Sequence, residues 1–412
     1  MHLIQPFTGL RPRPERAAEV IAPPYDVLDT AEARTRAAGK PWSFLHISKP
    51  EIDLPPDTDP HAPAVYAKGA QNLAGMLAAG ILTRDAQPCY YVYRLTMGGH
   101  VQTGVAAAAS IAAYDANRIR RHELTRPEKE NDRVHQIDAL NAQTGPVLMA
   151  YPDAPQVDAM LAEAAAGSPD VDVTADDGIV HRLWVVRDAR TVATLTAAFD
   201  AMSALYIADG HHRSAAASRV AAARRAANPR HTGEESYERF LSVIFPAHGL
   251  RILDYNRVVA DLGGLALPDF LSRVGERFAV ASSSTAVRPE RSGEFGLYVD
   301  RRWYRLTIHP ERLPADAEAR LDVSLLSDHL LAPVLGIHDL RRDKRIDFVG
   351  GMRGLGELER RVDTGGMAAA FALFPTRMED LMAVADAGGV MPPKSTWFEP
   401  KLADGMVSHV LD

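Results

Sequence analysis

Asp209-Gly210-His211-His212-Arg213 is the run of residues best suited to chemistry. It falls where the apolar stretch 204–208 gives way to an alanine-rich helical pattern over 214–227. That change of pattern predicts a strand feeding a helix through a turn that holds one glycine, two imidazoles and a guanidinium. Gly210 can take a backbone conformation that other residues resist. The first turn of the helix offers unpaired N–H groups and a positive dipole end. An anion is the natural occupant, and the planar fork of Arg213 suits a phosphate. The expected chemistry is therefore phosphate or phosphoryl binding, with loss of Arg213 weakening binding and leaving the fold intact. The plainer alternative is that Asp209 only caps the helix while the histidines pack locally. Adjacent side chains diverge in a strand or a helix, so His211 and His212 make no standard metal pair. With one cysteine and no His-x-x-x-His, a zinc site is not expected.

A second cluster runs from Arg120 to Arg133 and mixes titratable residues of both signs around Pro127. Glu128 and Asp132 stand one helical turn apart, as do Lys129 and Arg133, which suits a surface helix opened by a first-turn proline. The alternative reading needs a carboxylate to accept a proton from a hydroxyl and cations to hold phosphates, and the run offers both. Glu123, beside His122 and ahead of the proline, is the more site-like carboxylate. Arg126, Lys129, Arg133 and Lys394 could neutralise a transferring phosphoryl group, a reaction that needs mainly positioning and charge. Near the C-terminus, Lys394-Ser395-Thr396 sits among prolines. A lysine followed by hydroxyls resembles the end of a phosphate-binding loop, but the upstream glycines are missing and it is not a Walker A motif. The segment reads either as a rigid substrate-gripping loop or as one tucked across its domain. His46 and His181 lie in apolar runs read as strands, and are expected to be core histidines. The glycine-rich stretch 350–356 reads as a turn.

The elements that must position these residues belong to a mixed pattern. Helical spacing marks 62–81, 157–166, 191–202, 261–278 and 321–335, and strand character marks 43–48, 147–151, 181–187 and 241–246. Hairpins are expected over 89–110 and 296–308. The fold class is α+β (mixed α/β), with a boundary near residue 240 dividing domains 1–240 and 241–412. With 412 residues, 46% hydrophobic and 24% charged, the composition is that of a soluble globular chain. A formal net charge of −7 gives no basic field for nucleic acid. No signal-peptide pattern or bilayer-length apolar run is present, and the lone Cys89 fits a reducing compartment. A cytoplasmic protein without membrane or nucleic-acid partners is expected.

Five motifs, taken together, resemble domain-of-unknown-function family 1015, in the family's order and across almost the whole chain. They are Pro6-Phe7 with Leu10-Arg11-Pro12; Ala22-Pro23-Pro24-Tyr25-Asp26-Val27; His122-Glu123-x-Thr125-x-Pro127-x-Lys129-Glu130-x-Asp132-Arg133; Tyr206 through Arg213; and Pro392-Pro393-Lys394-Ser395-Thr396. The turn at Asp209 is similar to the phosphate-binding turn of the sulfiredoxin and ParB superfamily, which includes free-serine kinases. The resemblance implies a ParB/sulfiredoxin-like phosphate-binding core with an additional α+β C-terminal region. It also implies that His212 and Arg213 hold the transferring phosphate, that Asp209 binds Mg²⁺ or orients an imidazole, and that Glu123 is the base. His122, Arg126, Lys129, Arg133, Gly210, His211, Lys394, Ser395 and Thr396 complete the expected phosphate and substrate contacts. The implied reaction phosphorylates free serine from pyrophosphate, ADP or ATP, or runs in reverse to release phosphate from phosphoserine. The alternative is a ParB-like nucleotide-binding regulator associated with DNA, against which the net acidity counts. A second copy of the chain, forming a homodimer, is the one protein partner considered.

Overall fold

The computed structural model describes residues 2–412. The chain forms two compact units, one holding the chain up to Leu250 together with Pro400–Asp412, the other Arg251–Glu399. The division thus comes ten residues after the expected one, and the last thirteen residues return to the first unit. The reason is local: residue 240 lies inside a buried strand, and a strand paired on both sides cannot be shared between units.

The first unit is built on a nine-stranded sheet. In chain order its strands are β1 (Ile4–Gln5), β2 (Tyr90–Met97), β3 (His100–Ser110), β4 (Ile119–Arg120), β5 (Val147–Tyr151), β6 (Val171–Thr174), β7 (Val180–Val186), β8 (Leu205–Asp209) and β9 (Arg239–Pro246). They lie in the order β4-β8-β5-β9-β3-β2-β7-β6, with β1 beside β3. Gly98, at a φ of 57°, closes the expected β2–β3 hairpin with Gly99 in a two-residue turn. β8 runs parallel to β4 and antiparallel to β5, with a register shift between Ile207 and Asp209. Three helices matter for the site: α1 (Pro63–Ala78), α2 (Pro127–Leu140) and α3 (His211–Ala227). α1 and α2 both begin with proline, whose missing N–H is no loss in a first turn. α3 buries Ala216, Ala217, Val220 and Ala221, a stripe of small residues at helical spacing.

A smaller four-stranded sheet carries Gly9–Pro12, Leu82–Arg84, Ala142–Gln143 and Ser408–Val410, so the chain's two ends pair in one sheet. The Ala22–Asp404 bridge ties the Pro23-Pro24 loop to the same returning segment. The second unit has a six-stranded antiparallel sheet of β10 (Tyr255–Val259), β11 (Phe278–Ser283), β12 (Glu294–Val299), β13 (Arg302–Ile308), β14 (Ile346–Gly350) and β15 (Ala369–Leu373). Its strand order is β11-β13-β12-β15-β10-β14.

Several expected elements differ in extent or kind. The 43–48 stretch is not a strand; Leu45–Ser48 is a helical turn. His46 there bonds Asp53 Oδ1 at 2.8 Å and lies near the Lys40 carbonyl, so it is a local fastener and not a core histidine. His181 is buried as expected, with Nδ1 2.7 Å from the Tyr93 hydroxyl. The 261–278 helix shortens to Leu267–Gly275, with Pro268 in its first turn. The 321–335 helix contains a π-helical stretch, Ser327–Leu331. The 350–356 glycines do more than turn the chain, because Gly354, at a φ of 68°, opens the helix Gly354–Asp363. Among the described residues no helix is long and apolar enough to cross a membrane.

Candidate functional site

β8 ends at Asp209 and α3 starts at His211, two consecutive elements separated by one residue. Gly210 makes that possible with a φ of 102°. Gly210 therefore holds the position before the helix, and Asp209 does not cap it. A Cβ at Gly210 would stand 3.0 Å from Arg213 Nε, so the glycine also lets the guanidinium fold back beneath the turn.

Arg213 is buried, and its Nη1 donates to the Pro146 carbonyl. Its Nη2 lies 3.5 Å from Asp209 Oδ2 and 3.8 Å from Asp26 Oδ2. Burial disfavours its charge, but Asp209 and Asp26 outweigh that and raise its pKa above the ordinary value. Lys401 Nζ stands 3.6 Å from the same Asp209 oxygen. Burial would raise the Asp209 carboxyl, yet Lys401 and Arg213 hold it well below the usual range.

The paired carboxylate bears on the expected Mg²⁺. Among the described residues no group of three or more His, Cys, Asp or Glu could hold a metal ion. Asp209 is already matched by two cations, so a divalent ion would have to displace them. Asp209 is a counter-charge to Arg213 and Lys401.

The neighbouring imidazoles are tied into the surrounding loops. His211 is buried, with Nδ1 3.4 Å from Glu123 Oε2 and Nε2 3.4 Å from the His122 backbone N–H. Its pKa lies well below the ordinary value, through burial first and His122 second. The rings of His122 and His211 meet edge to face at 4.4 Å. Burial pushes His122 down to about 4, against a hydrogen bond with the Ile207 backbone, and its Nδ1 has no partner. His212 Nε2 accepts from the Arg126 backbone N–H at 3.1 Å. That bond clips the Glu123 loop to α3. Glu123 itself is about half exposed, at 45% of its side chain. Arg126 and Lys129 are exposed on the opening turn of α2.

Further along α2 the charge run turns inward, contrary to a wholly solvated face. Asp132 is buried and accepts from Tyr66 at 2.9 Å and from Arg133 Nε at 2.9 Å. The Arg133 guanidinium lies 3.8 Å over the Tyr25 ring. Burial disfavours its charge, but Tyr25 and Asp132 raise its pKa. Tyr25 is itself pushed up to about 12 by burial, against the pull of Arg133.

Arg133 and Arg213 line one cavity, together with Tyr25, Ser48, Gln136 and Asp404. It measures about 30 Å³, or about 460 Å³ when the space open to solvent is included. Asp404 is 1% exposed, and its Oδ1 has no hydrogen-bond partner. Burial pushes its carboxyl up to about 7, against Arg213 and Arg133 and with Asp26. Sequence reasoning missed Ser48, Lys401 and Asp404, and quoted Tyr25 and Asp26 only as part of a motif. The rigid Pro23-Pro24 pair was the one signal that the loop beside Asp404 is held in place.

Lys394, Ser395 and Thr396 belong to the second unit. Lys394 has a φ of 61°, its carbonyl accepts from Arg257 Nη2 at 2.8 Å, and its Nζ lies 5.5 Å over the Tyr255 ring. The Ser395 hydroxyl donates to the Pro392 carbonyl at 2.6 Å. The Ser395 hydroxyl is thus committed to holding its own loop.

The first unit is a mixed α/β structure with a guanidinium-lined cavity beside a strand–glycine–helix turn. The chain belongs to the family described as proteins of unknown function, DUF1015, whose model matches residues 4–324. No curated protein matches its sequence. Among solved structures it is similar to a mutant free serine kinase in complex with AMP, at 14% identity and a TM-score of 0.37, over 74% of this chain and 92% of that one. A conserved hypothetical protein from Pyrococcus furiosus matches at 15% identity and a TM-score of 0.34, over 73% and 93%. SbnI with a C-terminal truncation, from Staphylococcus aureus, matches at 9% identity and a TM-score of 0.36, over 73% and 85%.

Two outcomes are expected. Arg213→Ala takes from the buried Asp404 and the neighbouring Asp209 one of the two cations that face each, so it should cost about 3–5 kcal/mol of stability in urea unfolding at neutral pH. This replaces the expectation that the fold would be untouched. The second concerns pH. An unfolded imidazole takes its proton near 6.5, but folded His122 does so only near 4. Between those values the unfolded state binds a proton that the folded state refuses, so stability falls as pH drops. The stability advantage of wild type over His122→Gln should therefore narrow, by on the order of 2 kcal/mol, between pH 6.5 and 4.5. An unchanged difference would mean the ring is protonated in the fold.

Proposed function

We propose that the first unit is a phosphotransferase that moves a phosphoryl group onto the hydroxyl of a small molecule, with free serine as the leading acceptor. The observation that carries this reading is the convergence of Arg133 and Arg213 on one cavity next to the Gly210 turn. Two guanidinium groups lining one cavity give an anion fixed positive charge to meet, and a helix N-terminus beside them adds N–H donors. Pyrophosphate, ADP or ATP is the donor. Phosphoryl transfer asks the protein mainly for position and charge, which such a site supplies.

In this reading Glu123 accepts the proton from the acceptor hydroxyl. Its carboxylate is about half exposed, with His211 Nδ1 3.4 Å from Oε2. His211 is a positioning residue: its other nitrogen sits against the His122 backbone N–H, which fixes the tautomer that donates toward Glu123. His212 fastens the loop that bears Glu123. The transferred group then lies between Arg133, Arg213 and the Glu123 loop, and in the reverse direction the same site would dephosphorylate phosphoserine by handing its phosphoryl group to phosphate, AMP or ADP.

The test is a matrix of donors against acceptors. Full-length protein with Mg²⁺ is given pyrophosphate, ADP or ATP with serine, threonine, glycerate or inositol, and products are read by phosphorus NMR. O-phosphoserine from one donor is the expected result. Glu123→Gln should then lower turnover roughly 100- to 10,000-fold while donor affinity holds. Absence of any phosphorylated product across the matrix would overturn the reading.

A further inference from the structure

Arg257, on β10 in the second unit, is 1% exposed and carries an unmatched charge. Its Nη1 donates to the Tyr255 carbonyl, and its Nη2 donates to the Lys394 carbonyl at 2.8 Å. It stands opposite Phe348 of β14 and Phe371 of β15, with its guanidinium 4.8 Å from the centre of the Phe348 ring. Among the described residues no carboxylate pairs with it. Burial pushes its pKa down to about 9, and only Tyr255 acts the other way. A guanidinium keeps its proton at neutral pH even so, and the charge stays in place. Arg133 and Arg213 of the first unit are buried too, but carboxylates beside them raise the pKa of each. Ring faces and carbonyl dipoles offset only part of a buried charge, and a counter-ion is what completes the balance.

A second cation attends the same ring. Lys394 Nζ lies 5.5 Å from the centre of the Tyr255 ring, and the Arg257 guanidinium lies 5.6 Å from it. Lys394 is exposed, and among the described residues no carboxylate pairs with it either. Its φ of 61° is uncommon for a residue other than glycine or asparagine. The loop that holds it there is pinned, because the Thr376 hydroxyl donates to the Ser395 carbonyl at 2.8 Å. Trp397 meets the Tyr255 ring edge to face at 5.1 Å. It lies against Gly350, where a Cβ would stand 3.0 Å from the indole. Two cations thus share an aromatic surround that screens charge poorly.

We infer that Arg257 and Lys394 form an anion-binding site in the second unit, which takes a small oxyanion: the carboxylate or phosphate group of a ligand. The guanidinium supplies a fixed planar fork that suits either group, and the ammonium, on its flexible stem, closes on the anion from the exposed side. This goes beyond the proposed function and uses none of the residues assigned to it.

The experiment titrates sodium phosphate and sodium acetate separately into full-length protein whose arginine side chains carry nitrogen-15. A saturable shift of the Arg257 Nε–H signal with at least one anion is expected. A response to phosphate alone identifies a phosphate group, and a response to acetate identifies a carboxylate. Lys394→Gln should weaken that response at least about tenfold and leave the Arg213 signal behaving as in wild type. Arg257→Met keeps the bulk and removes the charge, so the bound anion should raise its urea unfolding midpoint less than it raises that of wild type. If that variant does not fold, the Lys394→Gln titration decides alone. No saturable Arg257 shift with either anion would overturn the inference. So would a response that Lys394→Gln leaves unchanged, or equal stabilisation of wild type and Arg257→Met. Failure of the phosphotransferase reading looks different: Arg257 still responds, but no donor yields product.

Discussion

Arg213 is a permanent cation buried at the junction of β8, α3, the Pro146 carbonyl and the Ala22–Asp26 loop, and the site is organised by that fact. A buried guanidinium is tolerated only when its charge and donors are matched. Asp209, Asp26 and Asp404 supply negative charge, while Pro146 supplies a carbonyl. Gly210 supplies the room. Each of these comes from a different part of the chain, so holding one cation draws the first unit's distant segments together.

The same requirement explains the return of the C-terminus. Lys401 and Asp404 sit on the segment that pairs, through Ser408–Val410, with Gly9–Pro12 and Ala142–Gln143. Without that pairing Asp209 would lose one of its two cations and the cavity one of its walls. Arg133 arrives from a third direction, on α2, braced by Asp132 and flattened on Tyr25. Its position brings a second guanidinium to the cavity that Arg213 lines, and the proposed phosphate site rests on that pair.

Local pattern was enough to read the strand–glycine–helix turn, the β2–β3 hairpin and the first-turn Pro127, because period and turn residues act over a few positions. It also picked out Arg213 and Arg133, which the fold brings to one cavity. It gave no sign that a His212 nitrogen bonds the Arg126 backbone or that the Ser395 hydroxyl bonds its own loop. Neither bond leaves a trace in residue type. Asp404 and Ser48 were illegible for a further reason. They are 356 positions apart by their numbering and share a cavity through bridges that no periodicity announces.

The central claim is that the Arg133–Arg213 wall receives a phosphate. It is tested most directly by titrating pyrophosphate into protein whose arginine side chains are labelled with nitrogen-15, following the Nε–H resonances. Saturable shifts of the Arg133 and Arg213 signals at one shared affinity are the predicted result. Shifts confined to exposed arginines, or none that saturate, would contradict it.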